Sequence, residues 1–331
     1  MEGVDLVRTL ERRVDETLDP LLMGVDRVAL LDFPNYANVG DSAIWLATVA
    51  YLHARGIRVS YTAGRENFDA AHARAKLGEG VVLLTGGGNL GDVWEAHQAF
   101  REHVVAALPD RRIIQLPQSI QFHNEANVRR ARRCFDAHPD LTILVRDRVS
   151  LDVASNTFRA SVHLCPDMAF SLGPLGRVGA PEQPIVRLVR QDKEGRASAT
   201  ERAVDWAVQP SNGARQVHDV LSRTLVRYPR RARALRRPLS ALYDRLARGR
   251  LDYGIRLLSA GETVITDRLH GHVLCLLLGI RHFLFGDRYG KLERFRDAWT
   301  ANATLGTWCA GPDAAEREAR WWVERGVGVG T

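Results

Sequence analysis

Short apolar runs alternate with helix-patterned stretches through the first half of the chain. RVALLDF (27–33), IRVSYT (57–62), VVLLT (81–85), RIIQL (112–116), TILVR (142–146) and SVHLC (161–165) are almost continuous in apolar or β-branched residues. That pattern predicts strands buried on both faces. Between them, residues 41–55, 93–108 and 124–138 carry helix formers at helical spacing. Alternating strands and helices imply right-handed crossovers and a parallel sheet, with the functional loops at the carboxyl ends of the strands.

The pattern breaks across 172–184, where glycine and proline interrupt every apolar period. This is the expected linker, centred on 177–183, between an amino-terminal lobe (1–176) and a carboxy-terminal one (184–331). The second series begins at PIVRLVRQD (184–192) and resumes at TVITD (263–267), HGHVLCLLLG (270–279) and RHFLF (281–285). A last amphipathic helix over 313–325, bearing Trp321 and Trp322, is expected to pack back across the hinge. The fold class predicted is α/β: two Rossmann-like lobes with parallel sheets facing a cleft.

Composition narrows the class further. With 331 residues, 45% hydrophobic, the chain can bury one or two large cores and is not disordered. Its four cysteines lie far apart without a CxxC pair, which argues against a disulfide framework or a structural zinc site and for a reducing compartment, the cytoplasm. No apolar run approaches the roughly 18 residues of a spanning helix. Between Ser222 and Leu251 stand ten arginines against one acid, Asp244, a local excess of +9 in a chain whose net charge is +7. The segment is either a solvated helical face or a patch for phosphates. Nucleic acid is disfavoured, because only Tyr228 and Tyr243 stand among the arginines and no reading motif accompanies them.

Three loops carry the candidate chemistry. After the first strand, Asn38, Gly40, Asp41 and Ser42 offer amides and donors at a helix start, with Asp41 or Ser42 expected to cap it. The loop clamps sugar hydroxyls or an anion, or merely satisfies its own turns. After the third strand, Gly86, Gly87, Gly88, Asn89, Leu90, Gly91 and Asp92 match G-x-G-x-x-G and predict a strand-to-helix turn that contacts a ligand or is only tight. A dinucleotide site also wants an acid about 20 residues onward. Gln115, Pro117, Gln118 and Ser119 stand there instead, which disfavours NAD or FAD. In the second lobe, Arg268, Leu269, His270 and His272 open an apolar helix, while Arg190 and Lys193 end that lobe's first strand. Guanidinium groups grip carboxylate or phosphate at two points, and histidine moves protons near neutral pH.

In order and separation, NYANVGDSAIW, TGGGNLGDVW, IIQLPQSIQF, LVRDRVS, LCPDMAF, LVRQDKE, TDRLHGH and FGDRYGKLERF resemble the polysaccharide pyruvyl transferase family, from Val28 to Trp299. The arginine-rich 222–250 matches nothing in it. The resemblance implies a fold like that of two-lobed GT-B glycosyltransferases, and transfer of pyruvate from phosphoenolpyruvate onto a sugar as a cyclic ketal. No metal or cofactor is implied beyond phosphoenolpyruvate as donor substrate. On this reading Arg190, Lys193, Arg268, Leu269 and His270 hold the donor, with His270 and Arg268 catalytic. Asn38, Gly40, Asp41, Gly87, Gly88, Asn89 and Asp92 face the acceptor, and Asp41 or Asp92 orients or deprotonates its hydroxyl. A lipid-linked acceptor would give residues 222–250 a role in peripheral docking on an anionic membrane. The rival reading is a nucleotide-sugar glycosyltransferase on the same fold.

Overall fold

The computed structural model describes residues 3–191 and 236–326, with 195, 203–206, 216–217, 220–221, 223–224 and 227 between them. Arg27–Leu31 (β1), Arg58–Ala63 (β2), Val81–Leu84 (β3), Gly87–Gly91 (β4), Ile113–Gln121 (β5), Leu141–Val145 (β6) and Ser161–Leu164 (β7) form an all-parallel sheet in the order β2-β1-β3-β5-β6-β7, with β4 added onto β5. Gln183–Leu188 (β8), Gly261–Thr266 (β9), His282–Leu284 (β10) and Gly306–Trp308 (β11) form a second parallel sheet, β11-β10-β9-β8. These are the two Rossmann-like α/β lobes that the alternation predicts.

Side chains on β1 divide by parity: Val28 and Leu30 enter one core, Ala29 and Leu31 another. Strand β8 divides likewise, with Val186 and Leu188 on one side and Ile185 on the other. One face of each sheet enters the same hydrophobic cluster, so the lobes share a core. Helices Gly3–Leu21 (α1), Val39–Ala54 (α2), Arg236–Ser259 (α7) and Leu269–Leu278 (α8) contribute to it. Helix α1 buries Leu6, Val7, Leu10, Val14 and Leu18, a stripe at helical spacing, and packs on α8 and on the 3₁₀ turn Met168–Leu172. The remaining helices of the first lobe are Ala70–Leu77 (α3), Glu95–Ala107 (α4), Glu125–Asp136 (α5) and Arg148–Thr157 (α6).

Three expectations are corrected. The glycine run is not a turn: Gly87–Gly91 is strand β4, paired with the far end of β5 past the bulge that accommodates Pro117. Gly91 lies so close to the Gln121 carbonyl that a Cβ would collide with backbone. The carboxy-terminal helix, Pro312–Glu324 (α10), does not return across the hinge; it covers the outer face of β8, β9 and β10, with Ala315 and Ala319 buried there. Arg250 belongs to no surface patch, because it is buried and its Nη1 donates to the Pro34 carbonyl at 2.7 Å. Arg245 and Arg248 are exposed, whereas Arg230, Arg231 and Arg233 lie outside the described residues. Among the described residues no helix is long and apolar enough to cross a membrane.

Candidate active site

A cleft of about 870 Å³ opens between the carboxyl ends of the two sheets. Its second-lobe wall starts where β9 ends. Arg268 is the N-cap residue of α8, so the first amides of that helix, with their positive dipole end, open toward the lining residues Leu269 and His270. The His270 ring lies directly over Gly40 of the other lobe, where a Cβ would overlap it. His270 Nε2 is 3.4 Å from Asp167 Oδ2, an ion-pair distance off hydrogen-bond geometry.

Arg146 Nη1 donates to that same Asp167 oxygen at 2.5 Å, and Arg146 Nε to Ser119 Oγ at 3.0 Å. Burial alone would raise the Asp167 carboxyl, but His270, Arg146 and the Ala169 amide outweigh it and hold the group well below the ordinary carboxylate range. Asp167 is thus a fixed anion that faces both Arg146 and His270. Lys291, at the start of the helix Lys291–Phe295 (α9), donates from Nζ to the Gly88 carbonyl at 2.7 Å. A Cβ on Gly88 would come within 2.7 Å of Arg146 Nη2 and 3.5 Å of Lys291 Nζ, so only glycine lets both cationic heads approach here. Asp287 accepts from the amides of Tyr289, Lys291 and Leu292 and fixes that turn.

The amino-terminal wall is polar. Asn38 caps α2, Oδ1 accepting from the Gly40 amide at 3.0 Å, where Asp41 or Ser42 was expected to cap. Asp41 Oδ2 instead accepts from Tyr36 Oη and Asn38 Nδ2, both at 2.7 Å. Burial, reinforced by the Asp41 carboxylate, keeps the Tyr36 phenol protonated far above its usual range. Behind this loop His97 Nδ1 donates to both oxygens of Asp32 at 3.0 Å. Arg101, one helical turn further along α4, brings Nη2 to 3.8 Å from Asp32. Asp32 has φ 66°, the left-handed region that a non-glycine residue enters at a cost of about 1–3 kcal/mol.

The cleft therefore gathers Asn38, Asp41, Gly88, Asn89, Asp92, Arg190, Arg268, Leu269 and His270 of the sequence-predicted set. Gly40 and Gly87 sit behind the wall, against His270 and Asp41 respectively. Lys193 lies outside the described residues. Three candidates change character. Arg268 Nη2 is bound by both oxygens of Asp205 at 2.5 and 2.6 Å, which compensates its charge. Asp92 accepts from the amides of His123 and Asn124, just ahead of α5, and from Asn127 Nδ2; burial would raise its carboxyl, but these donors hold it lower. Asn89 Oδ1 is taken by Arg101 and Gln118.

Sequence reasoning passed over Arg146, Asp167 and Lys291, although LVRDRVS, LCPDMAF and FGDRYGKLERF contain them; their convergence has no signature in spacing. It also passed over His97 and Arg101, whose only signal is their separation by four within a predicted helix.

Fold and site together describe a two-lobed α/β protein whose cleft sets a wall bearing Arg146, Lys291 and Arg190 against a polar one bearing Tyr36, Asn38 and Asp41. The chain belongs to the polysaccharide pyruvyl transferase family, whose model matches residues 38–288. EpsO of Bacillus subtilis (strain 168) is 31% identical to it over 305 residues, covering 90% of this chain and 93% of that one. Pyruvyl transferase 1 of Schizosaccharomyces pombe is 31% identical over 294 residues, 85% of this chain and 72% of that protein. The crystal structure of an uncharacterised protein of Klebsiella pneumoniae subsp. pneumoniae NTUH-K2044 covers 91% of this chain and 99% of its own at TM-score 0.60 and 17% identity, a likeness of fold.

Proposed function

We propose that this transferase takes its pyruvyl group from phosphoenolpyruvate and sets it on a sugar as a cyclic ketal. The observation that carries the reading is the meeting of Arg146 and Lys291 over Gly88, beside His270 and the start of α8. Phosphoenolpyruvate is small and carries a carboxylate and a phosphate, so it needs several cations within a few ångströms of one another. A guanidinium suits a two-point anion, an ammonium suits a compact point charge, and helix-start amides suit phosphate. Arg190, on the same wall, adds a further cation. His270 supplies the proton that the methylene carbon needs as the enol ester becomes a methyl ketal. The opposite wall, with Tyr36, Asn38 and Asp41, suits a polyhydroxylated acceptor.

Calorimetric titration with phosphoenolpyruvate tests this. Wild type binds; Lys291→Ala and Arg190→Ala each weaken binding about 10- to 100-fold, the range for a hydrogen bond to a charged group. Binding of a nucleotide sugar with no affinity for phosphoenolpyruvate overturns the reading and favours nucleotide-sugar glycosyl transfer.

A further inference from the structure

We infer that His97, held by Asp32, is the base that takes the proton from the attacking sugar hydroxyl. The inference rests on the pyruvyl-transfer reading and deepens it. Asp41 and Asp92, the carboxylates first expected in this role, are engaged: one accepts from Tyr36 and Asn38, the other from the His123 and Asn124 amides. His97 is placed differently. Its Nδ1 faces both Asp32 oxygens, which fixes the tautomer and leaves the lone pair on Nε2. That nitrogen has no hydrogen-bond partner among the described residues, and His97 lines the cleft. A carboxylate behind Nδ1 stabilises the imidazolium that forms when Nε2 accepts a proton.

Asp32 is over-determined for this task. It directly follows β1 in a left-handed conformation and meets two residues of one helical face, His97 and Arg101. Arg101 is itself fixed by Gln115 at 2.6 Å and Asn89 at 2.6 Å. The distance between the two active imidazoles is bridged by a short chain of contacts. His270 covers Gly40, the adjacent Asp41 binds Tyr36, and the Tyr36 ring meets the His97 ring at 5.6 Å. The base and the acid thus approach one substrate pair from opposite lobes.

The protons balance. The first hydroxyl gives its proton to His97 Nε2 while its oxygen bonds to the central carbon of phosphoenolpyruvate. The π pair of the carbon–carbon bond takes a proton from the His270 imidazolium and makes the methyl group. The second hydroxyl oxygen then bonds to the same carbon as the carbon–phosphate oxygen bond breaks, its electron pair leaving with phosphate. His270 takes the second hydroxyl proton and His97 gives its own to the departing phosphate. Both histidines return to their starting state.

The test measures phosphate release from phosphoenolpyruvate with a panel of p-nitrophenyl hexosides, alongside calorimetric binding of phosphoenolpyruvate and a melting curve. In His97→Gln, kcat falls about 100-fold or more, the usual weight of a general base, while affinity for phosphoenolpyruvate and melting temperature stay as in wild type. Added imidazole restores part of the rate to His97→Gly, which a merely structural role would not allow. Asp32→Asn keeps the imidazole and loses part of kcat. Turnover of His97→Gln close to wild type overturns the inference alone, as does a loss of phosphoenolpyruvate affinity in step with the lost rate. A wild type that neither binds phosphoenolpyruvate nor releases phosphate from it overturns the parent reading and this one together.

Discussion

Asp267, immediately before the cap of α8, is wholly buried, and burial pushes its carboxyl up to about 6 despite the Arg190 amide that donates to Oδ1 at 2.9 Å. A carboxyl raised in the folded state contributes most at low pH; that contribution is lost as pH rises from the ordinary value near 3.9 through about 6. Above pH 6 the protein therefore carries a charge it would be more stable without. Asp267→Asn, which keeps an acceptor for the Arg190 amide, is expected to raise the melting temperature at pH 8 and leave it nearly unchanged at pH 4, by differential scanning fluorimetry. An equal shift at both values would refute the assignment. Single residues of the RLH segment were legible because they sit at a strand end. The identity of their partners was not: Asp167 lies about a hundred positions before His270, and Asp205 lies 63 positions before Arg268.

Elements were legible where burial on both faces made strands continuous in apolar residues, and β1, β3 and β6 fall almost where the runs predict. The glycine run misled because its hydrogen bonds go to the extension of β5, a long-range partner that no local period encodes. The same long-range closeness makes Gly40 a sensitive position. A methyl group there would come within 2.3 Å of the His270 ring and 2.6 Å of His270 Cβ, so the histidine must give way. Gly40→Ala is expected to leave the fold intact by circular dichroism and lower phosphate release from phosphoenolpyruvate by about 10- to 100-fold, as the imidazole swings off its place. Unchanged turnover would show that His270 works from another rotamer.

For the whole molecule, the shared core decides behaviour. Two lobes with separate cores would unfold separately, but one cluster here includes Leu30 of β1, Leu188 of β8, and α1, α2, α7 and α8 between them. One calorimetric transition is expected, with Leu10→Ala in α1 lowering it as a unit by about 2–5 kcal/mol, the cost of a buried leucine cavity. Two resolved transitions would show that the lobes uncouple. The Trp45 indole reinforces the joint by donating to Asp244 of α7 at 2.9 Å, and burial raises that carboxyl.

From the sequence alone came the alternation of strands and helices, the two parallel lobes, the placing of the loops at strand ends and the family motifs, because these depend on local periodicity and on short runs of residues. The tertiary structure alone decided which cations meet over Gly88, which arginine is compensated by a carboxylate, and that a histidine four residues before an arginine stands against a strained aspartate. Such meetings depend on how far the chain travels before it returns, and electrostatics between side chains falls off with distance in space, not along the sequence.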